Sequence, residues 1–242
     1  MKKIKINYLT LYFLLIAFLC GYIKNALIVF FIVCFHELGH ILISILLKHK
    51  IISIELFPFG GYTKIDSLYN DSFLNSLLIS IMGIVFQLIL FLFIHEKNFI
   101  YLNKMIILFN LLPIIPLDGA KILFEIYAYF LPFKNCIIIY YITSFIFIII
   151  YIIFNYKYNL NNYMIICLFI YKTILIVKNK KLIYEKFLLE KMFYDINYKK
   201  IKNENLSINK YLKNTKYYYN VNGKIYEDKV ILQNMYKKCK VY

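Results

Sequence analysis

Long apolar runs, separated by short polar segments, follow one another along most of the chain. Several approach the roughly 20 apolar residues that a helix needs to cross a bilayer, which makes them candidate transmembrane spans. One of them, 99–131, is too long and too interrupted for one straight crossing, so it predicts a broken helix. The pattern predicts an all-α polytopic membrane protein with about six transmembrane helices. The candidate spans are 9–22, 25–47, 73–94, 99–131, 136–154 and 163–177.

Composition supports a membrane protein and limits which partners can be inferred from its net charge. Apolar residues make up 62% of the chain, so lipid is expected to surround most of its core. The net charge of +16 comes from lysine without arginine, in a sequence crowded with Ile, Asn, Lys and Tyr. An A/T-rich genome produces that composition without selection for basicity, so the charge does not predict a nucleic-acid partner. The five cysteines are scattered without a CxxC pair, which predicts no disulfide framework.

The lysines are unevenly distributed. Residues 178–242 carry a net charge of +10 (16 lysines, 6 acidic residues), whereas residues 1–177 carry +6 (13 lysines, 7 acidic residues). Lysine beside a membrane favours the cytoplasmic side, and six spans place both termini on one side. We therefore predict a transmembrane domain at 1–177 and a basic cytoplasmic tail at 178–242, with both termini cytoplasmic. The first span lacks a cleavage signal after it and is predicted to be a signal anchor.

The motif His-Glu-Leu-Gly-His lies at 36–40, in the middle of the second span. On a helix, His36 and His40 share one face, at the spacing that two ligands of one Zn²⁺ require. Glu37 lies one step round the helix, where it can act as general base on a water molecule. Ionisable groups are costly at this depth in a bilayer, so they indicate function. The structural alternative is a pair of histidines that hydrogen-bond within a helical bundle.

The fourth span is interrupted at 110–120 by Asn-Leu-Leu-Pro-Ile-Ile-Pro-Leu-Asp-Gly-Ala. Pro113 and Pro116 remove helix donors, and Gly119 permits a sharp bend. Asp118 is a lone carboxylate in an apolar setting, and a metal bound by two neutral histidines needs an anionic third ligand. Asp118 is therefore the best-placed candidate, with capping of the following helix as the structural alternative. The break would also leave room for water and an extended peptide.

The segment after the second span, 51–65, alternates apolar and polar residues around Pro58 and two glycines. It predicts either a short re-entrant hairpin with a free strand edge or an ordinary cytoplasmic loop, and spacing alone does not separate the two. If a metal at the histidines acts on a helical peptide, that helix must unwind before the metal can reach its carbonyls, and an edge at 57–63 would hold the unwound peptide. Phe59, Gly60 and Gly61 are therefore candidates for substrate binding.

Other polar residues within the spans have structural interpretations. Glu125 follows Asp118 by two helical turns, so it either lines the cavity or makes a structural hydrogen bond within the bundle. Glu55 is a weaker substitute for Asp118, because a cytoplasmic loop explains it. In the third span, Gln87 suits an interhelical hydrogen bond, and small residues such as Gly83 suit close helix packing.

Together these motifs resemble those of the site-2 proteases, the intramembrane zinc metalloproteases of peptidase family M50. That family pairs HExxH in one membrane helix with N-x-x-P…L-D-G in a later one, and here these are residues 36–40 and 110–119. The resemblance covers about residues 1–177. It implies one Zn²⁺ per chain, held by His36, His40 and Asp118, with Glu37 as catalytic base, and Asn110 and Pro113 of the second motif at the substrate.

Within the family, the compact layout and the run at 110–119 most resemble the sporulation members. That resemblance implies an intramembrane zinc metalloendopeptidase that hydrolyses a peptide bond in a membrane-associated protein substrate, a pro-sigma factor during sporulation. It implies a multi-pass protein of the bacterial cell membrane, at the outer forespore membrane, and an inhibitory membrane partner would fit it. Where the family usually continues D-G-G-R, this chain has Ala120 and Lys121, a change that a helix tolerates.

Sporulation members often end in a nucleotide-binding cystathionine-beta-synthase (CBS) module. Here residues 216–236 resemble the strand-turn-strand-helix end of one, so the tail is interpreted as a degenerate CBS-like module in which ATP sensing is not expected.

Two other functional classes explain part of the sequence. An ion-coupled membrane transporter, with an ion bound at the broken fourth helix, would account for the discontinuous segment and its carboxylate. It does not account for Glu37 directly after His36 in a His-x₃-His pair. An inactive scaffold that binds partners through the basic tail is a second alternative, and the two intact motifs argue against it.

Overall fold

Helices dominate the protein, as the hydropathy pattern predicted, and two small sheets accompany them. A computed structural model describes residues 3–6, 8–57, 60–66, 69–154, 160–193, 200–203, 210–221 and 224–239. The helices are α1 (Tyr8–Leu19), α2 (Ile23–Leu46), α3 (Phe73–Phe93), α4 (Lys97–Asn110), α5 (Asp118–Phe130), α6 (Phe133–Phe154), α7 (Leu160–Phe193) and α8 (Asp228–Cys239). The strands are β1 (Lys3–Ile6), β2 (Lys50–Phe57), β3 (Gly60–Asp66), β4 (Lys200–Asn203), β5 (Thr215–Val221) and β6 (Lys224–Glu227).

Three helices in the described part of the chain, α2, α3 and α6, are long and apolar enough to cross a membrane. They coincide with the second, third and fifth predicted spans. The first predicted span forms α1, whose 12 residues extend about 18 Å at about 1.5 Å per residue, less than the roughly 30 Å hydrocarbon core. The count of six spans is therefore not confirmed. Helix α7 runs without a break through residue 177, so the division of the chain at 177/178 stays a prediction.

The fourth predicted span is broken, as its prolines and glycine indicated. Helix α4 ends at Asn110, and α5 begins at Asp118. A Cβ at Gly119 would lie 2.5 Å from the carbonyl carbon of Leu111 and 2.7 Å from the carbonyl oxygen of Leu112. Only glycine therefore allows the start of α5 to approach the end of α4 this closely.

Backbone contacts divide the chain into two compact units. The first comprises Met1–Ser67, Leu77–Leu112 and Leu117–Gly119, and the second comprises Leu68–Ser76, Pro113–Pro116 and Ala120–Tyr242.

The first unit contains a three-stranded sheet beside α2. Strand β2 is central: it runs parallel to β1, with Lys3 opposite Ser53, and antiparallel to β3, with Phe57 opposite Gly60. Both β2 and β3 pack along α2. The segment 51–65 contributes two paired strands, as the hairpin interpretation predicted. That the hairpin is re-entrant stays a prediction, and Phe59 lies outside the described residues. An apolar cluster of Ile32, Leu90 and Phe99 joins α2, α3 and α4.

The second unit contains a sheet of the same topology, with β4 parallel to β5 and β5 antiparallel to β6. Its core is aromatic: Phe133 stacks on Phe187 with ring centroids 4.0 Å apart, and three buried tyrosines pack against the same cluster. The elements β5, β6 and α8 follow in the order of two strands and a helix predicted for 216–236, and residues 222–223 between the strands lie outside the described residues. That the tail is a CBS-like module stays a prediction. The tyrosines are Tyr211, Tyr217 and Tyr219.

Candidate metal centre

Helix α2 carries the three polar side chains of the HELGH motif on its buried side. His36, Glu37 and His40 are 5%, 9% and 6% exposed. The two imidazoles lie one helical turn apart and meet edge to face, with ring centroids 4.8 Å apart. Burial of three ionisable groups costs free energy unless each has a polar partner, so the arrangement around them is informative.

Asp118, the first residue of α5, brings its carboxylate to both histidines. Its Oδ2 lies 2.8 Å from His36 Nε2 and 3.1 Å from His40 Nε2, and the two Nε2 atoms are 3.1 Å apart. Asp118 is 4% exposed. Asp118 begins α5, and its side chain reaches the histidines. This is the contact that the metal interpretation of the broken span requires.

The hydrogen bonds of the two Nδ1 atoms determine that the lone pair of each imidazole is on Nε2. His40 Nδ1 donates to the carbonyl oxygen of Ile79 at 2.6 Å, and His36 Nδ1 donates to Gln87 Oε1 at 2.9 Å. Because both oxygens only accept, each Nδ1 carries the proton and each Nε2 keeps a lone pair. Two lone pairs and a carboxylate oxygen therefore converge.

Such a convergence is repulsive unless a metal ion or an added proton lies among the three atoms. Zinc bonds imidazole nitrogen and carboxylate oxygen at about 2.0–2.2 Å, so atoms 2.8–3.1 Å apart can share one ion. The chemistry of the donors, two neutral nitrogens and one carboxylate, also fits zinc. His36, His40 and Asp118 could thus hold a metal ion.

Two glycines let α3 approach α2 at this point. A Cβ at Gly39 would lie 2.9 Å from the carbonyl carbon of Met82. A Cβ at Gly83 would lie 2.6 Å from His36 Cε1, 2.7 Å from His36 Nε2 and closer still to His40 Nε2. The space beside the imidazoles exists because Gly83 has no side chain.

The other predicted site residues lie outside this three-residue cluster. Asn110 is the last residue of α4, and Gly60 and Gly61 begin β3; all three belong to the same unit as the histidines. Pro113 belongs to the second unit, in the break between α4 and α5. Phe59 lies outside the described residues. Their predicted contact with substrate stays a prediction.

The sequence left two roles open for Glu125, lining the cavity or making a structural hydrogen bond, and the structure shows a structural hydrogen bond. Its Oε2 accepts a hydrogen bond from Lys213 Nζ, and the same ammonium donates to Ser76 Oγ at 3.0 Å. The Glu125 carboxylate is thus held in a buried ion pair within the second unit.

Sequence reasoning missed the groups that surround the histidines. Gln87 was expected to make an interhelical hydrogen bond, and it does, to α2 and to Asn103 of α4. Its contact with His36 was not foreseen, because nothing in the sequence shows which side of α3 faces α2. Gly83 was predicted to permit close packing, and the structure shows that histidine rings occupy the space.

Comparison with known proteins shows what the HELGH motif and its surroundings are similar to. The sequence model of peptidase family M50 matches residues 24–95, which include α2 with its HELGH motif and α3. Stage IV sporulation protein FB of Bacillus subtilis (strain 168) is 33% identical over 129 residues, which are 48% of this chain and 45% of that protein. The chain thus spans about half the length of this relative.

A solved structure, the site-2 protease from Methanocaldococcus jannaschii, is 20% identical with a TM-score of 0.48, over 81% of this chain and 93% of that one. The family match and the apolar helices indicate a membrane protein. The chain is thus similar to peptidase family M50 over residues 24–95, where the HELGH motif lies.

Proposed function

We propose that the protein is an intramembrane zinc metalloendopeptidase that hydrolyses a peptide bond in a membrane-associated protein. The observation that carries the proposal is the convergence of His36 Nε2, His40 Nε2 and Asp118 Oδ2 within 3.1 Å of one another, next to Glu37, on a helix apolar enough to span a bilayer. The family match supports the protease class. It also disfavours the transporter alternative, which leaves Glu37 without a role.

One Zn²⁺ per chain would be held by His36, His40 and Asp118. Zinc supplies Lewis acidity at such a site, lowering the pKa of a bound water and polarising a carbonyl. The chain's own contribution is to keep both Nε2 lone pairs inward and to exclude bulk water, since each ligand residue is at most 6% exposed.

Glu37 would act as general acid and base. It follows His36 directly on α2 and is 9% exposed, so its carboxylate lies in the same water-poor surroundings. In the proposed reaction it takes a proton from the attacking water and passes it to the nitrogen of the leaving amine. A carboxylate can do both in turn, whereas the amide of a glutamine accepts no proton at neutral pH.

The first sheet offers a place for an unwound substrate. Within the described residues, β2 is paired on both sides, by β1 and β3, while β3 has only β2 as a strand neighbour. Strand β3 also packs along α2, the helix of the histidines. We propose that substrate pairs with the outer edge of β3, and that Phe59, Gly60, Gly61, Asn110 and Pro113 contribute to substrate binding.

Single prolines at Tyr62 and Thr63 test the strand edge. Successive residues of a strand point their N–H groups to opposite sides, so one proline removes an N–H that faces β2 and the other removes one on the outer edge. We expect the outer-edge variant to lose cleavage while zinc content is unchanged; the other variant is the matched control for hairpin damage. Normal cleavage by both variants would exclude strand addition at β3.

The proposed substrate is a membrane-associated pro-sigma factor, cleaved during sporulation at the outer forespore membrane. Support comes from the 33% identical relative, whose name assigns it to stage IV of sporulation. An inhibitory membrane partner would keep such a protease inactive until a developmental signal arrives. The proposal keeps both termini cytoplasmic, with residues 1–177 as the membrane protease and 178–242 as the basic tail.

The test is co-expression of wild type or Glu37→Gln with a membrane-tethered pro-sigma factor. Cleaved product is followed on a gel, and zinc is measured in the purified proteins. We expect cleavage by wild type alone, with zinc in both. Glu96→Gln is the matched control, because Glu96 makes an exposed ion pair with Lys24. Equal processing by Glu37→Gln would overturn the catalytic role, and absence of bound zinc from active wild type would overturn the metal site.

A further inference from the structure

Two fully buried amides, Gln87 of α3 and Asn103 of α4, lie beside the histidines within the first unit. A buried amide that finds no partner loses its hydrogen bonds to water without replacement, so each of these side chains is held by specific contacts. Those contacts form one chain of hydrogen bonds that runs from α4 through α3 to His36 on α2.

The direction of these hydrogen bonds is set at Asn103, the residue farthest from His36. Asn103 Nδ2 lies 2.9 Å from the backbone carbonyl oxygen of Gln87. A carbonyl oxygen can only accept, so the NH₂ of Asn103 must face it and Asn103 Oδ1 must face the other way. That oxygen lies 3.4 Å from Gln87 Nε2 and accepts its proton.

The orientation of the Gln87 amide in turn determines which nitrogen of His36 carries the proton. With its NH₂ turned to Asn103, Gln87 presents Oε1 to His36 Nδ1 at 2.9 Å. An amide oxygen cannot donate, so His36 must carry its proton on Nδ1. Its Nε2 then keeps the lone pair that faces Asp118 and His40.

We infer that Gln87 and Asn103 are positioning residues for the metal centre: they fix the tautomer and ring orientation of His36, so that Nε2 is ready to bind the ion. The inference rests on the proposed zinc site. The inference applies to His36 alone. The ring of His40 is oriented by the backbone carbonyl of Ile79, which no side-chain substitution removes.

Each residue has its own expected effect. Without the oxygen of Gln87, the imidazole of His36 is free to turn and to carry its proton on Nε2. Partners of this kind typically change metal affinity by about 10–100-fold. Without Asn103, the Gln87 amide can turn over and donate to His36 Nδ1, which favours the tautomer that cannot bind. A second Gln87 rotation restores the competent form, so the Asn103 effect is smaller, roughly several-fold.

The experiment measures zinc affinity of the purified full chain in detergent by competition with a zinc chelator, together with thermal unfolding of the metal-free protein. Gln87→Met keeps the length of the side chain but offers no amide oxygen, and Gln87→Glu keeps an acceptor towards His36. We expect about 10–100-fold weaker zinc binding for Gln87→Met and near wild-type binding for Gln87→Glu. Asn103→Leu is expected to be intermediate.

Asn98→Leu is the matched control, since Asn98 lies on the same helix as Asn103 and bonds the exposed side chain of Asn25. It should bind zinc as wild type does. If wild type binds zinc and Gln87→Met binds it equally well, the positioning role is overturned while the zinc site stands. If wild type binds no zinc, the proposed function itself fails. Should Gln87→Met not fold, an affinity of Asn103→Leu equal to that of Asn98→Leu overturns the inference.

Discussion

Two buried clusters of charged and polar groups, one from each unit, are built differently. The histidine cluster, His36, His40 and Asp118, directs three acceptor atoms at one another. The lysine cluster, Lys191, Thr215 and Asp228, has a cation of its own: Lys191 Nζ donates to the Thr215 carbonyl at 2.5 Å and lies 3.7 Å from Asp228 Oδ2.

Aromatic rings complete the lysine cluster. The Lys191 ammonium lies 5.2 Å from the ring centroid of Tyr211, 5.5 Å from that of Tyr217 and 5.6 Å from that of Phe187, within the range of cation–π attraction. The chain therefore supplies cation, anion and polarisable surroundings together, which is typical of a structural element. The histidine cluster supplies three acceptors that need an added metal ion or proton between them, and buried acceptors arranged in this way are typical of a metal-binding site.

The largest predicted effect on the histidine cluster is that of Gly83→Ala on zinc binding. Alanine normally stabilises a helix relative to glycine by about 1 kcal/mol, so Gly83→Ala should leave α3 intact. Its methyl group would collide with both imidazoles. We expect zinc affinity to fall by roughly a hundred-fold or more, with loss of cleavage, because the ligand atoms no longer converge. Zinc competition and a cleavage assay measure both.

Leu88→Ala on the exposed side of α3 is the control and should behave as wild type. Wild-type zinc affinity in Gly83→Ala would show that the histidines can rearrange, and that the convergence seen here is not the binding geometry.

The sequence could predict the ligands of the histidine cluster because they lie in local motifs. The i, i+4 spacing places His36 and His40 on one face, and a lone carboxylate at a broken helix identifies Asp118. Gln87, Asn103 and Gly83 could not be assigned to the site in this way. Their role depends on the rotation of α3 and α4 about their axes, which the sequence of each helix alone does not reveal.

The lysine cluster was harder to predict. The residues of 178–242 were interpreted as a basic tail beside the membrane, yet Lys191 and Lys213 are buried. Charge counting could not show this, because it depends on tyrosines 20 or more positions away that stack around the ammonium. Strand β1 was missed for the same reason, since its partner in β2 lies about 50 residues further along the chain. The hairpin of β2 and β3, in contrast, was one of the two interpretations that local turn residues indicated.

The lysine cluster itself predicts a smaller effect, on stability and not on metal binding. Burial lowers the pKa of Lys191 from 10.5 to about 8, even though Asp228 opposes the shift. Between those two values the unfolded chain binds the proton and the folded chain does not, so the free energy of unfolding rises as pH increases from 8 to 10.5. The full shift corresponds to about 3 kcal/mol.

Lys191→Met tests this, because methionine fills similar space without a titrating group. Denaturant unfolding of the full chain in detergent, compared near pH 8 and near pH 10, should show the rise in wild type and in the exposed control Lys181→Met, and not in Lys191→Met. Zinc affinity should stay at the wild-type value. An equal rise in all three proteins would mean that Lys191 is not desolvated. A loss of zinc in Lys191→Met would mean that the two clusters are not independent, because a structural ion pair would then be acting on the metal ligands.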